Sequence, residues 1–345
     1  MKKVLLTLLT LLLVNSAVFA FPFFKKDTTL TTVPLFSTKT KAENTVWVGT
    51  FQLVWNDLMN DIVRGEVMLE GGNDDVVKGL NKQSFSETML SENSYYKTHG
   101  IMTTTLRDTI NTSLMEKFNE TSDLLAGVDW NGRDYLLYAM LKKDFQFPYV
   151  YDKLAPEKFG SSREKVKYFG INDKSDRGLR ETVDVMFYNS KNDFAVILNT
   201  KNKSDLVLLY RTNDKLSLDE AYKQMLEKSF EYEDSKNFKE KDELKIPFIK
   251  FKNDYTYKNL TNKKIKGTDF TIGSAMQTVD FNLDNKGVKL KSEAAMIMKM
   301  SMVLPEHEQV RKFYFDDNFY LFLQEGMNAP YFGMKVGDVS GINKK

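Results

Sequence analysis

DNKGVKLKSEAAMIMKMSMVLPE, residues 284–306, carries a period of two. From Val288 the even positions hold Val288, Leu290, Ser292, Ala294, Met296, Met298 and Met300, while Lys289, Lys291, Glu293 and Lys299 fall at odd positions. Successive side chains of a strand point to opposite faces, so the alternation fits a strand with one buried face. Gly287 precedes the run, and Pro305, Glu306, His307 and Glu308 follow it. On pattern alone the stretch reads as an ordinary half-buried strand.

The chain around it is also strand-rich. DYLLYAML, DFAVILNT, DLVLLYR, TVDFNLD, FYLFLQE and PYFGMKV are short β-branched or aromatic runs beyond residue 130, most of them bounded by Asn, Asp, Gly or Lys. LSLDEAYKQML lies among them, and its Ser217 and Glu220 have the spacing of a capping box that opens a helix. Residues 231–243, EYEDSKNFKEKDE, read as a solvated loop or helix face. Nearer the N-terminus, Trp47, Phe51, Trp55, Leu58 and Ile62 recur at helical spacing and predict one helix face. Gly71, Gly72 and Asn73 then interrupt the chain, and 76–126 reads as helical in patches. There is no internal repeat and no linker rich in Pro, Gly or Ser. One α+β domain over 44–341 is the economical organisation, with 21–43 as a loose leader.

The chain opens with Lys2 and Lys3, an apolar run from Val4 to Val14 broken by Thr7 and Thr10, and the small residues Val18 and Ala20. This order is that of a cleavable signal peptide over 1–20. The apolar run is too short to cross about 30 Å of hydrocarbon. A mature product, secreted or periplasmic, soluble and without a membrane anchor, is therefore expected. Two of the 49 basic residues lie in that segment, which leaves the remainder balanced by 47 acidic side chains. A neutral chain gives no electrostatic case for nucleic acid or an anionic membrane. There is no cysteine, so neither a disulfide nor a lipid-acylation site exists, and stability has to come from a core.

Catalytic patterns are missing. Only His99 and His307 are present, so a histidine-rich metal site is ruled out, and no HExxH, GxSxG, GxGxxG or phosphate loop occurs. Ser162 and Lys165 make an SxxK without its KTG and SDN partners. The expectation is a protein that is not an enzyme, with no catalytic residues, cofactor or metal.

Several of these segments, in order, resemble the serpin family of suicide protease inhibitors. KFYFDDNFYLFLQEGMNAPYFGMKV (312–336) is similar to its C-terminal signature, with Phe313, Phe319, Phe322, Phe332 and Gly333 matching and Asp317-Asn318 at the usual His-Pro. QTVDFNLDNKG (277–287) resembles the strand that enters the reactive loop, with Gly287 as its hinge glycine. LKIPFIKFKNDYTYKNL (244–260) resembles the Leu-Pro-Lys-Phe-Lys strand, and DLVLLYRTNDKLSLDEAYKQML the Leu-Leu-Pro strand and helix. LLYAMLKKDFQFPY (136–149) resembles Asn-Ala-Ile-Tyr-Phe-Lys-Gly-x-Trp-x-x-Pro-Phe, and INTSLMEKFNETSDLL (110–125) the helix over the main sheet. The N-terminal helix also fits, but 64–109 is abbreviated and lacks the Ser-Pro motif. Tyr138 and Gln277 stand where the family has the Asn and His of its sheet-opening centre, and Phe145 where it has Trp.

The resemblance implies a serpin-like single domain, with a large mixed or antiparallel main sheet, two smaller sheets and surrounding helices. It implies a monomer whose partner is a target serine or cysteine protease. An exposed reactive loop near 287–305 would have its hinge at Gly287, Val288, Lys289 and Leu290. The scissile bond would be Met300–Ser301, or alternatively Lys299–Met300. Cleavage would let the loop insert as a new strand, with a gross gain on the order of 10–20 kcal/mol from about ten hydrogen bonds and several buried side chains. Leu290, Lys291 and Glu293 are bulky or charged where inhibitory hinges carry small residues, and overpacking costs roughly 1–3 kcal/mol per site. A slowly inserting loop is a substrate, so a non-inhibitory binding or structural protein on the same fold stands as the alternative.

Overall fold

The computed structural model describes residues 30–122, 124–162, 165–291 and 310–343. Residues 1–20, including the expected signal peptide, lie outside that range.

The apolar runs of the C-terminal half become the middle of a seven-stranded sheet. Its order is β1 (Leu30–Thr32), β2 (Asn44–Val48), β19 (Phe332–Val336), β18 (Phe319–Glu325), β10 (Asp205–Arg211), β9 (Asp193–Asn199) and β8 (Val183–Ser190). FYLFLQE and DLVLLYR are apolar on both faces because both faces are covered, and nearly every residue of β18 and β10 is buried. The helix α5 (Leu218–Glu231) lies against β18, β19 and β8. Its capping box forms as read from Ser217 and Glu220.

A second, four-stranded sheet runs β12 (Ile249–Thr256), β15 (Met276–Asp284), β16 (Gly287–Lys291), β5 (Lys143–Gln146). Here the burial alternates along β12 and β15, as expected of strands with one face on the core and one in solvent. The inward face meets the first sheet, where Phe281 of β15 stacks on Phe332 of β19 at 4.6 Å. A third sheet orders β17 (Lys312–Tyr314), β11 (Glu243–Pro247), β7 (Lys165–Ile171) and β6 (Asp152–Lys158). Two further pairs are β3 (Tyr95–Ile101) with β4 (Tyr135–Leu141) and β13 (Lys263–Lys264) with β14 (Thr271–Ile272).

α1 (Thr50–Asp57) continues as a π-helical turn over Leu58–Val63 and packs on β4 and β3. On the other side of that strand pair, Ile110, Leu114 and Phe118 of α3 (Thr104–Phe118) enclose Tyr138. The short helices α2 (Asp75–Leu80) and α4 (Arg177–Arg180) complete the α+β architecture.

Three expectations change. The helix read from Trp47 starts at Thr50, and Trp47 belongs to β2, every residue of which is buried. The helix read over 110–125 stops at Phe118, where Asn119 takes the left-handed conformation that ends it. The leader read over 21–43 is ordered from Leu30, since β1 pairs in parallel with β2 and Asn253 of β12 donates to Thr32 Oγ1.

Candidate functional site

The site is built on the turn that begins DNKG. β15 ends at Asp284, and its carboxylate Oδ1 accepts from the backbone N–H groups of Lys286 (2.8 Å) and Gly287 (3.3 Å). This is the local bonding that makes Asp a turn residue. The turn is tied to the chain after β5: Phe147 N donates to Lys286 O, Tyr151 N to Asn285 O, and Asn285 Nδ2 to Tyr151 O, at 2.9, 2.9 and 3.0 Å. The chain therefore reverses at once and returns as β16 alongside β15, with Leu283 opposite Val288 and Asp284 opposite Gly287.

Gly287 has a steric reason to be glycine. A Cβ placed on it would lie 2.2 Å from Phe145 O and 2.7 Å from Gln146 Cα. Only a bare Cα allows β16 to approach β5 this closely. Beyond it, Val288 is fully buried opposite Phe145, itself 1% exposed, and Lys289 faces solvent opposite Asp144. These two residues follow the inward and outward alternation read from the sequence. Leu290 lies opposite Lys143, and the register shifts between Leu290 and Lys291.

The hinge is thus corrected in one respect. Gly287 to Lys291 were expected to begin an exposed loop, but they form a strand paired to β5 along its length and to β15 at Gly287–Lys289. The tied turn and the burial of Val288 account for this. Met300, Ser301, Lys299 and the remainder of 292–309 lie outside the described residues.

Below β16 the two sides of the sheet have different partners. β15 is paired with β12 along its whole length, but it meets β16 only at Asn282–Asp284. β4 is paired with β3. Among the described residues, no strand pairs with Met276–Phe281 of β15 on the side away from β12, or with β4 on the side away from β3. The chain between β4 and β5 is a fork, with β4 on the β3 side and β5 on the β16 side.

Gln277 and Tyr138 occupy separate surroundings. Gln277, 5% exposed, donates to Val48 O (3.1 Å) and Thr50 Oγ1 (2.7 Å) and accepts from Tyr257 (2.6 Å). It thus links β15 to the start of α1. Burial pushes the Tyr257 phenol well up, which keeps it a fixed donor. Tyr138 packs under α3 instead.

The exit of the segment is anchored more heavily than the sequence suggested. Arg311, 7% exposed, donates from Nε and Nη2 to both carboxylate oxygens of Asp242, and from Nη1 and Nη2 to Ser235 O and Asn237 O. The stretch read as solvated over 231–243 therefore has a buried end, holding Phe238 and Asp242. The DNKG turn carried a readable signal, while the Arg311 anchor carried none, because its partners are carbonyl groups and a distant Asp.

The other candidates do not join this site. Ser162 follows a turn and Lys165 is an exposed residue that opens β7. His99 bonds Tyr135 Oη (2.7 Å) and lies 3.4 Å from Asp61, while His307 is outside the described residues. Among the described residues, no helix is long and apolar enough to cross a membrane.

No family model and no curated protein sequence matches this chain. Solved structures that it is similar to include serpins. Serpin48 of the insect Tenebrio molitor is 12% identical over 86% of this chain and 92% of that one, with a TM-score of 0.45. The serpin of Schistosoma mansoni is 15% identical over 68% and 64%, at 0.41, and thyroxine-binding globulin in complex with thyroxine is 12% identical over 67% and 63%, at 0.42.

Proposed function

We propose that this chain is an exported, serpin-like inhibitor of serine or cysteine endopeptidases that works by strand insertion. One observation carries the reading. β16 already occupies the place between β15 and β5, while the facing edges of β15 and β4 below it have no strand partner among the described residues. A sheet with this fork is built to accept more of the same strand.

Continued in register, β16 would run down β15 until Ala295 stood opposite Met276. Val288 faces inward, so Ala294 would follow it inward within that span, Met296 and Met298 carry the same alternation past its end, and Lys289 sets the outward side. Each new backbone bond contributes about 0.5–1.5 kcal/mol, and each fully buried large apolar side chain about 1.5–3 kcal/mol. Cleavage near Met300–Ser301, or near Lys299–Met300, frees the segment to take this gain. A protease still esterified or thioesterified to the freed end is then carried with it.

A second reading, a non-inhibitory binding protein, is favoured by the hinge itself. Gly287–Lys291 are paired in the uncleaved chain, and Gln277 is held by three hydrogen bonds. Incubation with chymotrypsin-, elastase-, trypsin- and papain-like enzymes separates the two. The inhibitor reading expects a complex that survives denaturing electrophoresis, and clean cleavage without complex across the whole panel supports the binding protein.

A further inference from the structure

Beneath the inserted strand lies a buried cation that the reading above leaves unused. Lys143 opens β5, and its side chain is 2% exposed. Its Nζ is 2.9 Å from Asp205 Oδ1, bonds Glu325 Oε1, and stands 5.2 Å over the Tyr331 ring. Asp205 begins β10 and Glu325 ends β18, and the two are direct cross-strand partners. Like charges facing each other across a strand pair repel. An ammonium reaching in from the other sheet offsets that repulsion.

The carboxylates have further donors. Asp205 accepts from Asn202 and from Tyr331 Oη (3.2 Å). Glu325 accepts from Ser91 N (2.8 Å), Ser91 Oγ (3.1 Å) and Ser94 Oγ (3.1 Å). Ser94 O in turn accepts from Lys142 N (2.8 Å), at the residue where the chain leaves β4 and enters β5. The cluster thus gathers β5, β10, β18 and the fork itself. Where the segment pattern quoted for 136–149 has glycine, this chain has Lys143, so the cluster is no part of that resemblance.

We infer that Lys143 is a positioning residue, which ties β5 to β10 and β18 and so holds it as a fixed template for β16. β5 has only four residues. A strand this short needs an outside hold to keep one edge in place for a partner. The register of β16 is regular down to Leu290, opposite Lys143, and shifts at the next residue. The fastening and the limit of regular pairing coincide. The bearing of this on inhibition rests on the function proposed above, whereas the docking of β16 is measurable without it.

The test is residue-resolved amide hydrogen exchange on the full chain. Lys143→Met is combined with Asp205→Asn and Glu325→Gln, so that no buried charge is left without a partner, and Glu325→Gln alone serves as a milder variant. In the triple variant the amides of Val288 to Leu290 should exchange on the order of ten- to a hundredfold faster, while those in the middle of β10 and β18 keep their protection. Glu325→Gln should give a smaller rise at the same amides. Unchanged exchange in β16, or a rise shared equally by β10 and β18, would overturn the inference, the second because it reports general loss of stability. Free exchange of β16 in the unaltered chain would overturn it too. Complex formation with a panel protease is scored separately. Lack of any complex from the unaltered chain contradicts the inhibitor reading and leaves the exchange result standing.

Discussion

At Gly287 a single hydrogen atom decides whether two strands can meet. The position tolerates no Cβ, because the Phe145 carbonyl lies 2.2 Å from where it would stand. Gly287→Val should expel β16 from its place beside β5. Limited proteolysis will detect this as new cuts at Lys289 and Lys291 by a trypsin-like enzyme, and retained resistance there would contradict it. The break at this glycine was legible in the sequence, where it precedes the alternating run, but its close approach to β5 was not, because that depends on a partner about 140 residues away. Nor was Lys143. A lysine at the start of an apolar strand reads as a boundary, and its two carboxylates lie far along the chain. Trp47 misled for a related reason. A strand buried on both faces leaves no alternation to see, so Trp47 joined the i, i+4 series of the helix after Gly49.

Among the elements, α5 shows a cap whose strength depends on pH. The Lys39 ammonium, 2.7 Å away, and the Ser217 N–H hold the Glu220 carboxyl at about 2, against an ordinary value near 4.3. A carboxyl lowered on folding contributes stability that is present above its unfolded value and lost as pH falls through the folded one. Thermal unfolding of the unaltered chain and of Glu220→Gln should therefore differ most above pH ~5 and converge toward pH ~2. A difference that stayed constant over this range would contradict the assignment. The sequence revealed this helix because its cap and its apolar period agree. It did not reveal β3, YYKTHGI, whose residues are nearly all half-buried and give no clear alternation.

Across the whole molecule, the segment from β16 to β17 is anchored at both ends. The entry is the tied turn at Asp284–Gly287, and the exit is Arg311 on Asp242. Asp242→Ala leaves a buried guanidinium without its anion, a change that typically costs about 3–5 kcal/mol, and equilibrium denaturation will measure it. A loss under about 1 kcal/mol, as for an exposed pair, would contradict the anchor. The α+β class and most strands were legible because runs such as FYLFLQE specify themselves. The division of the sheet between β5 and β4 was not, because it depends on which partner each half of one continuous segment finds.

Strand gain by this sheet from the segment after Lys291 is read by cutting the chain once within 292–309 with a nonspecific protease at low dose and comparing thermal unfolding before and after. Insertion predicts a rise of roughly 20 °C or more, from a gross gain on the order of 10–20 kcal/mol. An unchanged or lower midpoint in the cut chain would contradict it.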